Sequence, residues 1–245
     1  MNELIKNNRI TALVFRIVAT LLATFGVLDG VGLFSNNMAP NILLYYTTQS
    51  NILVIGMFVI LIVFSIKDIK NNGIKGSSSY CERATGIIML AIVVTMLVFW
   101  LVLAPVMSAS SVMGMSAPSL LSFQNFQLHL ITPLLIIVDY FVFEKPGKLK
   151  KQDPWIFAAI PLSYFVQATI LGFSGVVYMT LENGDVQHFP YFFIDYYAMG
   201  WKVALFVVGI LIVFLALAYG LLLLDKKRAN TVLRTKVIDA IETND

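Results

Sequence analysis

Charged side chains are scarce in this chain of 245 residues, since Asp, Glu, Lys and Arg together make up 13% of it. Soluble domains carry about 25% charged residues. This deficit, with a mean hydropathy of +0.82, excludes an ordinary water-soluble protein and indicates solvation by lipid. The lysines and arginines form no basic stripe interleaved with aromatic residues, so nucleic-acid binding has no support.

Cysteine and histidine are also scarce. Cys81 is the single cysteine, which excludes a disulfide within the chain, and His129 and His188 are the two histidines. Zinc and iron centres draw mainly on these two residue types. We therefore expect no metal site, and the sequence indicates no cofactor.

Long apolar runs are abundant. A transmembrane helix needs about 20 mostly apolar residues, and six segments reach that length: 10–34, 42–66, 84–107, 120–143, 154–175 and 198–224. Only helices and closed barrels satisfy backbone polar groups in lipid, and these runs are too long for barrel strands. The sequence predicts an all-α integral membrane protein, with a six-helix transmembrane domain over 1–228 and a short cytoplasmic tail over 229–245.

The basic residues predict the orientation of this bundle. Short cytoplasmic loops are enriched in Lys and Arg. Fifteen of the 17 basic residues precede the first segment, follow the last, or lie between segments 2 and 3 or 4 and 5. The two exceptions are Arg16 and Lys202. We therefore expect both termini in the cytoplasm.

Two polar interruptions lie at similar depth in the outer half of the predicted bundle. The second segment contains five consecutive polar residues, "TTQSN" (47–51), and the fourth contains His129. At a rise of about 1.5 Å per residue, Thr48 lies ~9 Å and His129 ~12 Å below the outer ends of their helices. Ionisable groups at such depths are costly, and they indicate function.

A proline follows the histidine by four residues. Pro133 cannot donate a hydrogen bond to the carbonyl of His129, so we expect a kink and a free backbone acceptor there. Pro105 and Pro161 predict similar breaks in the third and fifth helices. Asn125, one turn before His129, is expected to orient the imidazole ring.

A hydroxyl beside an imidazole can carry out nucleophilic hydrolysis, because the neutral ring accepts the hydroxyl proton. Thr47 and Thr48 are both candidates, and composition does not choose between them. Asn51, three residues after Thr48, could donate to a developing oxyanion. Two other interpretations stay open: a binding or transport cavity, and polar side chains that only join helices.

Two further features lie outside this layer. Arg16 and Asp139 are both near the cytoplasmic ends of their helices, which predicts either a structural ion pair or two independently snorkelling side chains. The outer connection 176–197 contains an Asn-Gly turn between β-prone flanks and predicts a short hairpin. Its aromatics suit the membrane interface or a lid over a cavity, and His188 within it is a candidate supporting residue.

Three stretches together resemble one family. They are "YTTQSNILV" (46–54), "NFQLHLITPLLIIVDYFVF" (125–143) and "YFFID" (191–195). In this order they resemble the bacterial branch of the androgen-induced and androgen-dependent transmembrane proteins. The animal members are multi-pass hydrolases that use an intramembrane Thr and His to cleave fatty acid esters of hydroxy fatty acids. The resemblance implies a bacterial plasma-membrane protein that acts on lipid esters without a cofactor.

The resemblance also implies particular residues. The family's threonine precedes an acidic or amide residue by three positions, which selects Thr48 with Asn51. The family's histidine lies ten residues before an acidic residue, a spacing that His129 and Asp139 match. Animal members have an acidic residue where this chain has Asn51, which weakens the transfer of their substrate preference to this chain.

The family's outer motif usually reads Tyr-Pro-Phe-Leu-Asp. Tyr191 and Asp195 match its ends and are expected to support the site, whereas Phe192 stands in place of the proline. The predicted function is intramembrane hydrolysis of a lipid ester by Thr48 and His129. The alternative is a non-catalytic protein that binds or transports a small amphipathic ligand in an outward-facing cavity.

Overall fold

The structure is a computed structural model that describes residues 8–34, 38–109, 122–181 and 184–242. Within these ranges, six helices are long and apolar enough to cross a membrane, which confirms the six predicted spans. They are α1 (Arg9–Gly30), α2 (Tyr46–Asn72), α3 (Glu82–Val98, continuing through Phe99–Leu103 and Ala104–Ala109), α4 (Phe123–Phe143), α5 (Asp153–Phe173) and α6 (Lys202–Glu242).

Two helices continue through positions where the sequence suggested a domain boundary or a break. The helix α6 continues unbroken to Glu242, so the boundary predicted after residue 228 lies inside it. The segment 229–242 contains no glycine or proline that would end a helix. The predicted break at Pro161 is also wrong, because α5 is continuous through it. Neighbouring groups can satisfy the backbone around a proline inside a transmembrane helix.

Small residues set how closely α1 approaches its neighbours. Along one face of α1 the buried residues are mainly alanine and glycine, whereas its large apolar side chains face outwards. Small residues of this kind let helix backbones approach in lipid. At Gly26 an added Cβ would lie 2.3 Å from Cγ of Gln127 in α4. Glycine is therefore required for this contact.

A buried ionic cluster joins α1 to α4. The Arg16 side chain is 0% exposed, and it donates to both carboxylate oxygens of Asp139, at 2.7 and 3.3 Å. It also donates to Ser65 Oγ at 3.1 Å and to the Ser78 carbonyl at 3.0 Å. The predicted Arg16–Asp139 ion pair is confirmed, and its complete burial rules out independent snorkelling.

Glu144 adds a second carboxylate to this cluster. Its Oε1 lies 3.5 Å from Arg16 Nη2, and its Oε2 accepts a hydrogen bond from Ser79 Oγ at 2.8 Å. Burial, reinforced by the nearby charge of Asp139, raises the pKa of Glu144 to about 7. This carboxyl therefore titrates near neutral pH.

The opposite end of the bundle carries the predicted hairpin. Strands β1 (Met179–Thr180) and β2 (Val186–Gln187) pair antiparallel, which confirms the prediction; Asn183 of its turn lies outside the described residues. We call this end the hairpin end. The hairpin is tied to the segment before α2, because Asn41 Nδ2 donates to the Tyr178 carbonyl at 2.7 Å.

Candidate functional site

The candidate site forms where α3 and α4 both leave regular α-helical geometry. Phe99–Leu103 and Gln127–Ile131 are π-helical, and each segment ends two residues before a proline, Pro105 or Pro133. A proline lacks the N–H that the regular ladder needs, and single π-helical turns are frequent at functional sites. The backbone irregularity predicted at His129 is therefore present, in the form of a widened turn.

The widened turn of α4 leaves carbonyls that side chains of neighbouring helices satisfy. Trp100 Nε1 donates to the carbonyl of His129 at 3.1 Å, and Asn51 Nδ2 donates to the carbonyl of Leu128 at 3.1 Å. The acceptor that Pro133 was predicted to free is thus bonded to Trp100. These two bonds fix the backbone that carries the imidazole.

The imidazole of His129 is itself held on three sides. Its Nδ1 lies 3.1 Å from the Asn125 carbonyl, its Nε2 lies 3.2 Å from Thr47 Oγ1, and its ring stacks on Phe99 with centroids 3.7 Å apart. Because a carbonyl can only accept, the neutral ring carries its proton on Nδ1. Nε2 then accepts from the Thr47 hydroxyl, which is the geometry of a nucleophile and its base.

The threonine that contacts the histidine is Thr47, so the predicted pairing of Thr48 with His129 needs correction. Neighbouring residues of a helix with 3.6 residues per turn differ by about 100° in direction. Only one of the two adjacent hydroxyls can therefore face the ring. Thr48 is 2% exposed and lines the same cavity, but the hydrogen bond to Nε2 comes from Thr47.

The amide of Asn51 joins α2 to α4, and in this arrangement it does not point at the site as its expected role of oxyanion donor requires. Its Nδ2 donates to the Thr47 carbonyl at 2.8 Å and to the Leu128 carbonyl at 3.1 Å, so both amide hydrogens are used. Its Oδ1 is buried without a hydrogen-bond partner among the described residues. The amide points towards α4 because the Leu128 carbonyl in the widened turn needs a hydrogen-bond donor.

Thr47 and His129 line a cavity of about 560 Å³ at the hairpin end. This volume is within the range of small-molecule sites. Tyr178, before β1, lines the cavity, is 2% exposed, and has a hydroxyl without a hydrogen-bond partner in the described parts of the chain. Burial raises the pKa of Tyr178, so its phenol remains a protonated donor.

Of the predicted supporting residues, Asn125 and Tyr191 belong to this cavity. Both line it, and Asn125 holds the imidazole through its backbone carbonyl. Phe99, Trp100 and Tyr178 were missed by the sequence analysis. Phe99 and Trp100 come shortly before Pro105 in the sequence. Their distance from this proline is the one sequence feature that could have related them to a widened helical turn.

The other three predicted supporting residues have structural roles elsewhere. Asp139 pairs with Arg16, ~15 Å along α4 from the histidine. Asp195 caps the short helical turn Tyr196–Met199 by accepting from two backbone N–H groups at 2.9 and 3.1 Å. His188 Nδ1 lies 3.1 Å from the Val176 carbonyl and ties the two sides of the hairpin together. None of these three residues is among those that line the cavity of Thr47 and His129 in the described part of the chain.

Comparisons of the chain with protein-family models, with curated proteins and with solved structures return no match. In the described ranges, no group of three or more His, Cys, Asp or Glu side chains is arranged to hold a metal ion. The functional interpretation therefore depends on the geometry of Thr47, His129 and their cavity.

Proposed function

We propose that this protein is an intramembrane hydrolase of lipid esters, with Thr47 as the nucleophile and His129 as the base. The observation that carries the proposal is the 3.2 Å contact between Thr47 Oγ1 and His129 Nε2 at the wall of a cavity. Nε2 takes the hydroxyl proton as Oγ1 attacks the ester carbonyl, and the imidazolium then protonates the leaving alcohol. Water, deprotonated by the same ring, releases the acid from the acyl-threonine.

Two neighbouring aromatic residues suit this reaction. The face of the Phe99 ring stabilises the imidazolium that forms on His129, by a cation–π interaction. The hydroxyl of Tyr178, which has no hydrogen-bond partner among the described residues, is the donor that we assign to the oxyanion, since the amide of Asn51 is already used.

The proposed setting is a bacterial plasma membrane, with both chain termini in the cytoplasm and the hairpin end outside. The distribution of basic residues supports this orientation. The motif resemblance supports an ester of a fatty acid with a hydroxy fatty acid as substrate. No cofactor enters the proposed reaction.

The test is turnover of a panel of lipid esters by purified protein in detergent. We expect Thr47→Val and His129→Gln to lower kcat by at least about 10²-fold, the usual contribution of a general base. Thr48→Val is the matched control, because it removes the adjacent hydroxyl of the same helix, and it should keep most of the activity. Equal turnover by wild type and Thr47→Val would overturn the assignment.

One observation favours the alternative, a protein that binds or transports a small amphipathic ligand. The cavity wall carries amide side chains, including Gln124, Asn125 and Gln187, which could hold a polar head group without chemistry. Native mass spectrometry distinguishes the two functions. If the wild type retains an intact ester and releases no acid, the protein binds without hydrolysis. If the wild type neither hydrolyses nor retains an ester, and the variants only lower the unfolding temperature, the side chains of Thr47 and His129 serve to pack the helices.

A further inference from the structure

A groove of about 700 Å³ runs along the side of the bundle between α3 and α6. We call it the lateral groove. On α6 it extends from Lys202 to Leu217, which is ~22 Å at the helical rise, and on α3 from Val94 to Val102. Apart from Lys202, its lining residues are apolar or glycine. Its volume is within the range of sites for a single ligand.

The lateral groove adjoins the candidate site through a narrow apolar cavity of about 90 Å³. This inner cavity shares Val98, Phe193 and Phe214 with the groove. At its other side it shares Thr47 and Tyr191 with the cavity that contains His129. The groove, the inner cavity and the cavity of His129 are therefore linked, each to the next, by shared lining side chains.

The mouth of the groove carries an isolated positive charge. The connections 35–41, 108–119 and 176–197 contain no lysine or arginine. Lys202 is exposed at the first turn of α6 and makes no hydrogen bond or ion pair with the described part of the chain. Trp201 beside it is 72% exposed. A cation at one end of an apolar groove is complementary to an amphiphile with an anionic head and an apolar chain.

We propose that the lateral groove binds a long acyl chain whose free carboxylate contacts Lys202, and that the ester bond of a substrate that carries such a chain reaches Thr47 through the inner cavity. The volume favours one chain over a two-chain phospholipid. The delivery step rests on the proposed hydrolase function, whereas binding in the groove does not. Phe193 and Phe214 line both the groove and the inner cavity and are buried, so passage of the chain requires these side chains to move.

Gly209 is a position in the groove wall where a larger side chain can begin without a backbone clash. A Cβ added at Gly209, in the groove wall, meets no atom within 4 Å, and the same holds at Gly220. Eleven residues separate the two glycines, about three helical turns, so they share one face of α6. Gly220 lies outside the groove lining. Gly209→Trp is therefore the test variant and Gly220→Trp its matched control.

Binding is measured by photo-crosslinking a diazirine-labelled palmitate to the purified protein. We expect Gly209→Trp to reduce crosslinking at least tenfold and Gly220→Trp to leave it unchanged. Lys202→Gln should weaken crosslinking of the acid but not of its methyl ester. Gly209→Trp should also slow hydrolysis of long-chain esters, whereas Gly220→Trp should hydrolyse them at the wild-type rate.

Two outcomes overturn the proposal. One is equal crosslinking of wild type and Gly209→Trp. The other is displacement of palmitate by phosphatidylglycerol as readily as by unlabelled palmitate, which would indicate ordinary boundary lipid. If crosslinking follows the expected pattern but the wild type hydrolyses no ester, acyl-chain binding in the groove is supported and the proposed hydrolase function is wrong.

Discussion

Replacing Asn51 with leucine removes the amide that joins α2 to the widened turn of α4. The Thr47 carbonyl keeps a donor, because Ser50 Oγ lies 3.0 Å from it, but the Leu128 carbonyl loses its side-chain donor. A buried acceptor without a partner costs about 1–3 kcal/mol. Removal of the unpartnered Oδ1 of Asn51 offsets part of this cost. We therefore expect Asn51→Leu to lower the free energy of unfolding by about 1–2 kcal/mol.

The assay is thermal unfolding in detergent together with ester turnover. In a chain of this size 1 kcal/mol corresponds to about 2–4 °C, so the midpoint should fall by roughly 2–8 °C, with less than about a tenfold loss of kcat. The control is Gln49→Leu, which removes a partly exposed amide two residues away whose bond to the Leu43 carbonyl is 3.4 Å long. If Asn51→Leu keeps the wild-type stability but lowers kcat by about 10²–10³-fold, Asn51 is an oxyanion donor and does not serve mainly to join the helices.

Further substitutions test contacts near the site and elsewhere in the bundle by thermal unfolding. Trp100→Phe leaves the His129 carbonyl without its indole donor. We therefore expect the free energy of unfolding to fall by about 1–3 kcal/mol and kcat to fall at unchanged KM. An unchanged free energy of unfolding would contradict this. Gly26→Ala forces a methyl group into Gln127 and should destabilise the protein, whereas Gly56→Ala meets open space and should not; equal midpoints would count against the close contact. The pKa of Glu144 is raised from 4.5 to about 7 in the folded protein. Protonation of this carboxyl therefore stabilises the folded state, and that stabilisation is lost as the pH rises through about 7. The midpoint should be lower at pH 8 than at pH 6, and Glu144→Gln should flatten this difference; a pH-independent wild type would show that the carboxyl is not perturbed.

The six spans could be predicted from the sequence because a helix in lipid must be both long and apolar, and both properties are local. The Arg16–Asp139 pair could be predicted for a similar reason, since each residue's distance from its helix end gives its depth. Neither argument depends on how the helices are rotated about their axes. Depth alone therefore located the polar layer but not its contacts.

The choice between Thr47 and Thr48 depends on the rotation of α2 relative to α4, which packing of the whole bundle sets. The stripe of small residues on α1 and the close contact at Gly26 take part in that packing. Pro133 predicted a free acceptor at His129, but not that its donor comes from α3. Sequence spacing within one helix does not contain such information between helices.

A nucleophilic Thr47 should form the covalent adduct of a fluorophosphonate probe, and tandem mass spectrometry locates that adduct on the chain. We expect phosphonylation of Thr47 in the wild type and in Thr48→Val, and no adduct in Thr47→Val or in His129→Gln. An adduct on Thr48, or labelling that persists in Thr47→Val, would contradict the assignment of Thr47 as the nucleophile.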